Sequence, residues 1–192
     1  MEGRGTRTLT GATTGPRDPL RLFFALWPDD AARSALADLA RSLHGECGGR
    51  PVPEGKLHLT LLFLGSVRAG FVADLRHMAG RIDAPPGTLI LDRIEYWRRN
   101  QLVCLGAASC PPALSVLVGE LGQGSRSLNL PVEERPYVPH ITLLRRAPRR
   151  VTARDFEPIV WRIAEFALVQ STLDRDAVAY EVIDRWPLQG YG

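Results

Sequence analysis

The sequence is poor in lysine, cysteine and histidine. Of the 24 basic residues in this chain of 192, only Lys56 is a lysine, so nearly every positive charge is an arginine guanidinium. The three cysteines, Cys47, Cys104 and Cys110, are irregularly spaced and form no C-x-x-C pair. They indicate neither a disulfide framework nor a cysteine zinc site. We therefore expect the protein to work in a reducing compartment, the cytoplasm.

Long apolar runs are also missing. No stretch approaches the roughly 20 apolar residues that a membrane-spanning helix needs, so we expect no membrane partner. Residues 1–19 are rich in Gly, Thr, Arg and Pro and have no apolar centre, which is not the pattern of a secretory signal. We predict a disordered tail there, followed by one globular domain over residues 20–192 that is a monomer.

Excess charge of one sign is small. The formal net charge is +3 and the sequence pI is about 9.0, which permits an anionic partner without requiring one. The kind of cation is more informative than the number. A guanidinium presents a planar fork of donors that matches the oxygens of a phosphate, so the arginine bias suits a phosphate-containing ligand.

A short motif occurs twice, as HLTL at residues 58–61 and as HITL at residues 140–143. Two of the four histidines lie in these copies, and each copy sits in an apolar, β-branched run that predicts a strand. Side chains of a strand alternate between its faces, so the His and Thr of each copy point the same way. If the two strands are neighbours, two imidazoles and two hydroxyls converge on one spot.

The 82 positions between the two copies predict the architecture. This separation is too long for a solenoid repeat. It favours two related lobes, each of which contributes one motif strand to a shared central cleft. We expect an α+β fold with mainly antiparallel sheets and with helices packed outside.

Hydrophobic periodicity predicts the individual elements. The motif strands are Leu57–Leu64, ended by Gly65, and Val138–Leu144. Further strands are expected at Leu20–Leu26, Leu89–Trp97, Leu102–Leu105, Phe166–Leu173 and Ala179–Arg185, the last two joined by a turn at 174–176. Helices are expected from an Asp29 or Asp30 cap to Leu43, over Ala69–Arg81, and from Pro111 to Leu121. Residues 45–55, 122–135 and 148–158 are predicted loops.

Two histidines beside one phosphate can perform acid and base catalysis. An imidazole has an ordinary pKa of about 6.5, so both of its protonation states exist near neutral pH. One ring can take a proton from water while the other gives a proton to the leaving oxygen. Threonine hydroxyls on the same face can donate to the nonbridging phosphoryl oxygens. We expect no metal and no cofactor in such a site.

The residues resemble a known family, the 2H phosphoesterases, of the LigT-like RNA 2′,3′-cyclic phosphodiesterase type formerly called 2′-5′ RNA ligases. The likeness runs from about residue 20 to residue 188. It is carried by RLFFAL at 21–26, LHLTLLFLG at 57–65, PHITLLR at 139–145 and RWPL at 185–188.

The resemblance implies hydrolysis of a ribose 2′,3′-cyclic phosphate, at an RNA end or in a small nucleotide, to a 2′-phosphate. It implies that His58 and His140 are the catalytic acid and base, and that Thr60, Thr142 and Arg145 bind the phosphate. We expect His140 to act as the base toward water and His58 as the acid toward the 3′-oxygen. Exchanging these roles would allow the 2′-5′ ligation that the family also implies.

Contacts beyond the phosphate stay open. Arg145 lies five positions after His140, so strict alternation would place it on the opposite face. Either the strand ends or bulges after Leu144, or Arg146 makes the contact instead. Three aromatic residues are candidates for stacking on a base, and each could equally belong to the core: Phe63, Trp97 and Tyr137.

Three alternatives remain. The chain could be a binding module for RNA ends without activity, although binding alone would not need two imidazoles. It could hold a metal with His58, His140 and a carboxylate such as Glu95 or Glu181, although no short-spaced ligand pair is present. It could also act on a different small cyclic phosphate, such as ADP-ribose cyclic phosphate.

Overall fold

The structure, a computed structural model, describes residues 19–152, 155–174 and 177–189. The strands are β1 Pro19–Leu26, β2 Arg50–Pro51, β3 Leu59–Arg68, β4 Gly87–Leu91, β5 Arg93–Trp97, β6 Leu102–Gly106, β7 His140–Arg145, β8 Ile159–Ile163, β9 Glu165–Asp174 and β10 Ala177–Pro187. The helices are α1 Asp30–Cys47, α2 Phe71–Ala79 and α3 Pro112–Ser127, and a 3₁₀ turn spans Glu54–Lys56. The predicted tail lies outside the described residues apart from Pro19, which begins β1.

One large sheet dominates the fold. Its strand order is β10-β9-β1-β3-β7-β6-β5, with β2 paired to β7 as well, while β4 and β8 form a separate two-stranded sheet. Every neighbouring pair is antiparallel. The prediction of an α+β fold with antiparallel sheets and helices outside is therefore confirmed.

The two faces of this sheet differ, and we name them by what they carry. Leu22, Phe24 and Leu26 of β1 point to the helix face, where they join the main core with buried side chains of α1 and α3. Phe23 and Ala25 point the other way, to the motif face, and pack in a small cluster with Ala167 and Val169 of β9. The alternation of β1 thus covers one face with helices and leaves the other for a site.

The first helix begins as its sequence predicts. The side chain of Asp29 accepts a hydrogen bond of 2.8 Å from the backbone N–H of Ala32, which satisfies one of the unpaired donors of the first turn. Leu36 and Leu43, which lie two turns apart on the same face of α1, are fully buried. Within the described ranges, no helix is both long and apolar enough to cross a membrane.

The predicted strand Leu89–Trp97 is wrong as a single element. The chain changes sheets at Asp92, so that β4 pairs with β8 and β5 pairs with β6. The Asp92 carboxylate accepts a 2.7 Å hydrogen bond from the backbone N–H of Ala108, and its own N–H donates to the carbonyl of Gly106. The charged pair at residues 92–93 lies at this break, but the strand-forming residues on both sides of it concealed the change of sheet. Strand β8, which pairs with β4, was also not predicted.

Two glycines that were predicted to end elements, Gly65 and Gly122, do not end them. Gly65 does not end β3; it has a φ of +72° and marks a bulge opposite β1, after which the strand continues. The third helix does not stop at Leu121 but runs through Gly124. A Cβ at Gly124 would lie 2.5 Å from Sδ of Met78, so this glycine allows α2 and α3 to approach closely.

Other boundaries moved less. The first helix continues through Gly45 to Cys47, so the predicted loop 45–55 is shorter and also contains β2 and the 3₁₀ turn. The strands β9 and β10 are longer than predicted, and residues 175–176 of the turn between them lie outside the described residues.

Gly49 is a position where only glycine fits. Its φ is +88°, and a Cβ would lie 2.8 Å from the carbonyl oxygen of Arg145 and 2.9 Å from the backbone of Ala147. We predict that Gly49→Ala lowers the free energy of unfolding by about 2 kcal/mol or more. Gly45→Ala is the control, because Gly45 lies inside α1 with nothing within 4 Å of its Cβ position; it should raise the stability by up to about 1 kcal/mol. Urea titration measures both, and equal stabilities of the two variants would contradict the close approach.

Candidate functional site

The two motif strands meet at a single backbone pairing. Leu59 of β3 lies opposite Ile141 of β7, and both side chains are fully buried on the helix face. The residues on either side of this pair therefore point to the motif face. Because the strands are antiparallel, the histidine of each motif faces the threonine of the other. His58 lies on the side of Thr142, and Thr60 lies on the side of His140.

All four motif side chains line one cavity of about 710 Å³. Apart from them, its charged, hydroxyl-bearing and aromatic lining residues are Arg21, Phe23, Arg50, Lys56, Phe63, Arg145, Arg146, Ser171, Thr172 and Tyr180. A cavity of this size is in the range that encloses a small ligand. The structure therefore brings the predicted catalytic and phosphate-binding residues together.

The two imidazoles are held in the same way. Nδ1 of His58 lies 2.8 Å from the carbonyl oxygen of Lys56, and Nδ1 of His140 lies 2.9 Å from that of Val138, in each case two residues upstream. A carbonyl can only accept, so Nδ1 carries the hydrogen in both rings. Nε2 of each ring is then the nitrogen left to exchange protons with a ligand.

A bulge in β7 explains how Arg145 reaches the site. Thr142 pairs with Cys104 and Leu144 with Val103, so β7 has one extra residue between two consecutive residues of β6. Alternation shifts by one position at such a bulge, and Arg145 joins Thr142 on the motif face. Arg146, which follows the strand end with a φ of +54°, also lines the cavity.

The first motif strand contains a bulge at the corresponding position. Thr60 pairs with Ala25 and Leu62 with Phe24, which leaves one extra residue in β3 at the corresponding position. Phe63 therefore lies on the motif face, as Arg145 does in the second motif. Its ring is 45% exposed, and the guanidinium carbon of Arg21 lies 4.6 Å from the ring centroid.

Aromatic rings enclose His58. Its ring centroid lies 5.2 Å from that of Trp27, nearly parallel at 18°, 5.2 Å from that of Phe23, and 5.1 Å from that of Tyr180, edge to face. This burial lowers the pKa of His58, with smaller contributions from the charges of Arg145 and His140, against the opposing effect of the hydrogen bond to Lys56. Burial thus favours the neutral form of the His58 ring in the unliganded protein.

The surroundings of His140 are different. The Trp97 ring lies 4.5 Å from it at an interplanar angle of 52°, and the indole N–H of Trp97 donates a 2.8 Å hydrogen bond to the carboxylate of Glu95. Gly106 is the direct cross-strand neighbour of His140 and offers no side chain. The two catalytic candidates therefore share a hydrogen-bond arrangement but not an environment.

Each motif threonine accepts a hydrogen bond from a neighbouring side chain. The thiol of Cys104 lies 3.9 Å from Oγ1 of Thr142, and burial raises the pKa of this thiol to about 11, so it stays protonated and can only donate weakly. The Tyr137 hydroxyl donates a 3.1 Å hydrogen bond to the carbonyl of Thr60, and burial raises the pKa of Tyr137 as well. Neither contact uses the threonine hydroxyl hydrogen, which stays available for a ligand.

Of the three candidates for base stacking, one lines the cavity and two do not. Phe63 lines the cavity, whereas Trp97 and Tyr137 are not among its lining residues. Trp97 lies beside His140, and Tyr137 packs against the main core.

Sequence analysis missed several residues of the site. Phe23, Trp27, Tyr180 and Lys56 were given no role. Arg21 and Phe23 belong to the RLFFAL segment. The alternation of side chains along this strand, which puts these two residues on the same face, was the available signal. Nothing in the sequence indicates that Tyr180 reaches His58, because that contact depends on β10 lying next to β9 and β9 next to β1.

A metal site built on the histidines is not formed. Among the described residues, no three side chains of His, Cys, Asp or Glu lie close enough together to hold a metal ion. The alternative ligand set of His58 and His140 with Glu95 or Glu181 is therefore wrong.

Comparison with known proteins identifies the family. The sequence model described as LigT like Phosphoesterase matches twice, over residues 26–104 and 105–180, so each match contains one of the two motifs. The chain belongs to the LigT-like phosphoesterases. The double match agrees with the repeated bulge, because each matched half contains one motif and the bulge that follows it.

Individual relatives agree with this assignment. The chain is 36% identical over 173 residues to the RNA 2′,3′-cyclic phosphodiesterase of Escherichia coli, covering 89% of this chain and 98% of that protein. It is 31% identical to the RNA 2′,3′-cyclic phosphodiesterase of Thermus thermophilus, covering 89% and 91%. The crystal structure of E. coli LigT complexed with 3′-AMP has a TM-score of 0.80 at 35% identity, covering 89% and 99%.

The enclosure of His58 predicts its titration. Since burial disfavours the imidazolium, the ring should protonate with a midpoint below the ordinary 6.5, measured by NMR of the ring C–H signals in the unliganded protein. Trp27→Leu opens one side of the ring to water and should move the midpoint up toward 6.5. Trp97→Leu, beside the other histidine, should leave it unchanged. A wild-type midpoint at or above 6.5 would contradict this account.

Proposed function

We propose that the protein hydrolyses ribose 2′,3′-cyclic phosphates at RNA ends to 2′-phosphates, with the two histidines as acid and base. The observation that carries this proposal is the pair of imidazoles on one cavity, each with Nδ1 bound to a carbonyl and Nε2 left for proton transfer. The two RNA 2′,3′-cyclic phosphodiesterases related to this chain at 31–36% identity support the substrate class.

The reaction is an in-line displacement at phosphorus. Nε2 of His140 takes a proton from water as the water oxygen forms its bond to phosphorus. The negative charge of the bound cyclic phosphate favours the protonated form of His58, so Nε2 then carries a proton. The bond from phosphorus to the 3′-oxygen breaks, and Nε2 of His58 gives that proton to the oxygen, which leaves a 2′-phosphate and a 3′-hydroxyl. One ring gains a proton and the other loses one, so exchange with water restores both. The reverse order of proton transfers would serve 2′-5′ ligation.

The phosphoryl oxygens are bound by neutral and charged donors. The hydroxyls of Thr60 and Thr142 donate from opposite strands, and the guanidinium of Arg145 offers a charge-assisted pair of N–H groups. The Thr142 hydroxyl accepts a weak hydrogen bond from the Cys104 thiol, so its own hydrogen is free to be donated to a phosphoryl oxygen. Arg145 also acts on the charge state of His58, which supports its closeness to the reacting group.

A nucleoside portion has a place beside the phosphate. Phe63 is exposed on the cavity wall, and an aromatic face takes any base by stacking. The related E. coli LigT forms a complex with 3′-AMP, which supports a nucleotide as a ligand of this chain.

A bridging sulfur separates the two histidine roles. A thiol has a pKa of about 8.5 and leaves as a thiolate without help from an acid. We predict that His58→Ala and His140→Ala each lower the kcat for uridine 2′,3′-cyclic phosphate by about 10²–10⁴-fold. With sulfur in place of the bridging 3′-oxygen, His58→Ala should lose less than about tenfold, whereas His140→Ala should keep its full loss.

The matched control is His77→Ala, which removes an exposed histidine of α2 that does not line the cavity. It should leave the rate unchanged. ADP-ribose cyclic phosphate, assayed in parallel, tests the alternative substrate. A near-normal rate of either motif variant on the oxygen substrate would defeat the mechanism, and rescue of His140→Ala alone by sulfur would reverse the two roles.

The bulge in β7 predicts which arginine matters more. Arg145→Gln should lower kcat/KM by about 10²-fold, since a donor to the developing phosphoryl charge is lost. Arg146→Gln makes the same change in charge one residue later and should cost less than about tenfold. Steady-state kinetics on the same cyclic nucleotide compare them, and a larger loss for Arg146→Gln would show that the contact belongs to Arg146.

A further inference from the structure

The cavity holds more positive charge than one cyclic phosphate can balance. Such a diester carries a single negative charge. Five cationic side chains line the cavity, and no carboxylate lies among its described lining residues; the cations are Arg21, Arg50, Lys56, Arg145 and Arg146. A ligand with a second anionic group would use this surplus, because unbalanced charge in a cleft attracts further anion.

Arg21 is the cation best placed to bind a second anion. It lies on β1, and its cross-strand neighbours are Ser66 of β3 and Ser171 of β9, which are both neutral. No acidic side chain in the described part of the chain forms an ion pair with it. Its guanidinium carbon lies over the Phe63 ring, 4.6 Å from the ring centroid, a cation–π contact that consumes none of its N–H hydrogen bonds.

The repeated motif places Arg21 and Arg145 at opposite ends of the site. The shared bulge gives Phe63 the same position after the first motif that Arg145 has after the second. Since β3 and β7 run in opposite directions from their pairing at Leu59 and Ile141, these two positions lie at opposite ends of the motif face. In the first half the Phe63 ring stands where the second half has the Arg145 guanidinium. The guanidinium of Arg21 lies over that ring.

We propose that Arg21, supported by Phe63, binds the phosphodiester on the 5′ side of the terminal nucleotide. The cavity then selects an RNA end of at least two nucleotides over a nucleoside 2′,3′-cyclic phosphate. This inference rests on the proposed function, because it assumes that the cyclic phosphate lies between the two histidines. Arg145 binds the reacting phosphate at one end of the site, and Arg21 binds the next phosphate along the strand at the other.

The test compares two substrates that differ by one phosphodiester. Uridine 2′,3′-cyclic phosphate carries the reacting phosphate alone, and the dinucleotide UpU with a 2′,3′-cyclic end carries one phosphate more. The wild-type protein should prefer the dinucleotide in kcat/KM. Arg21→Gln should lower the ratio of dinucleotide to mononucleotide kcat/KM by about tenfold, and Arg21→Lys, which keeps the charge without the planar fork, by less.

Salt dependence gives a second measurement. For the dinucleotide, the slope of log kcat/KM against log salt concentration should become shallower by about 0.7 in Arg21→Gln, the value for one lost contact to a single-stranded phosphate. Arg68→Gln is the matched control, because Arg68 is an exposed arginine on β3 outside the cavity. It should keep both the ratio and the slope.

The outcomes separate this inference from the proposed function. If Arg21→Gln lowers kcat/KM equally for both substrates, or for neither, Arg21 does not bind the second phosphate while the proposed function stands. If Arg68→Gln matches Arg21→Gln, the effect is one of overall charge and the inference is wrong. If the wild-type protein hydrolyses neither substrate, the proposed function fails and this inference fails with it.

Discussion

The structure depends on a single backbone pairing, that of Leu59 with Ile141. Two strands whose motifs lie 82 positions apart meet at this pair and extend from it in opposite directions. The side chains of Leu59 and Ile141 are buried on the helix face, so the residues next to them point to the motif face. One apolar contact thereby sets the positions of two imidazoles and two hydroxyls. A shift of one residue in either strand would turn the His and Thr of that strand into the core.

The two halves then differ around this shared frame. Each has a bulge after its threonine, and each holds its histidine by a carbonyl two residues upstream. In the first half His58 is enclosed by three aromatic rings, and an aromatic residue follows the bulge. In the second half one ring lies beside His140, and an arginine follows the bulge. Repetition gives the two strands matched geometry, which in the proposed mechanism lies on both sides of the phosphorus atom. The differences would allow the two rings to hold different protonation states and the two ends to bind different groups.

Much of the site could be predicted from the sequence, because the motif reports both its strand and its face. Period two gives the shared direction of His and Thr, and two copies in one chain suggest convergence. Arg145 could not be placed in this way. Its direction depends on a bulge, which is created by pairing with β6 and leaves no mark on the apolar run Leu143-Leu144. The contact between Tyr180 and His58 was hidden for a similar reason, since it joins strands by their order in the sheet.

Glycine was the least reliable signal for the fold. Gly65 and Gly122 were interpreted as breaks, yet Gly65 forms a bulge inside β3, and α3 continues through Gly122 to Gly124, where α2 approaches closely. The same residue type serves a turn, a positive φ or a close approach, and only tertiary packing decides among them. The change of sheet at Asp92 was likewise hidden, because residues on both sides of it favour strands and the sequence does not report which strand each segment pairs with.

The central claim is that both motif histidines face one phosphorus atom. A crystal structure of the protein with a nucleoside 2′-phosphate, the product of the proposed reaction, tests this claim most directly. We expect the phosphate in the cavity with its oxygens within hydrogen-bond distance of Nε2 of both His58 and His140, and of the two threonine hydroxyls. A phosphate bound to only one of the two rings, or bound at the arginines away from both, would contradict the account.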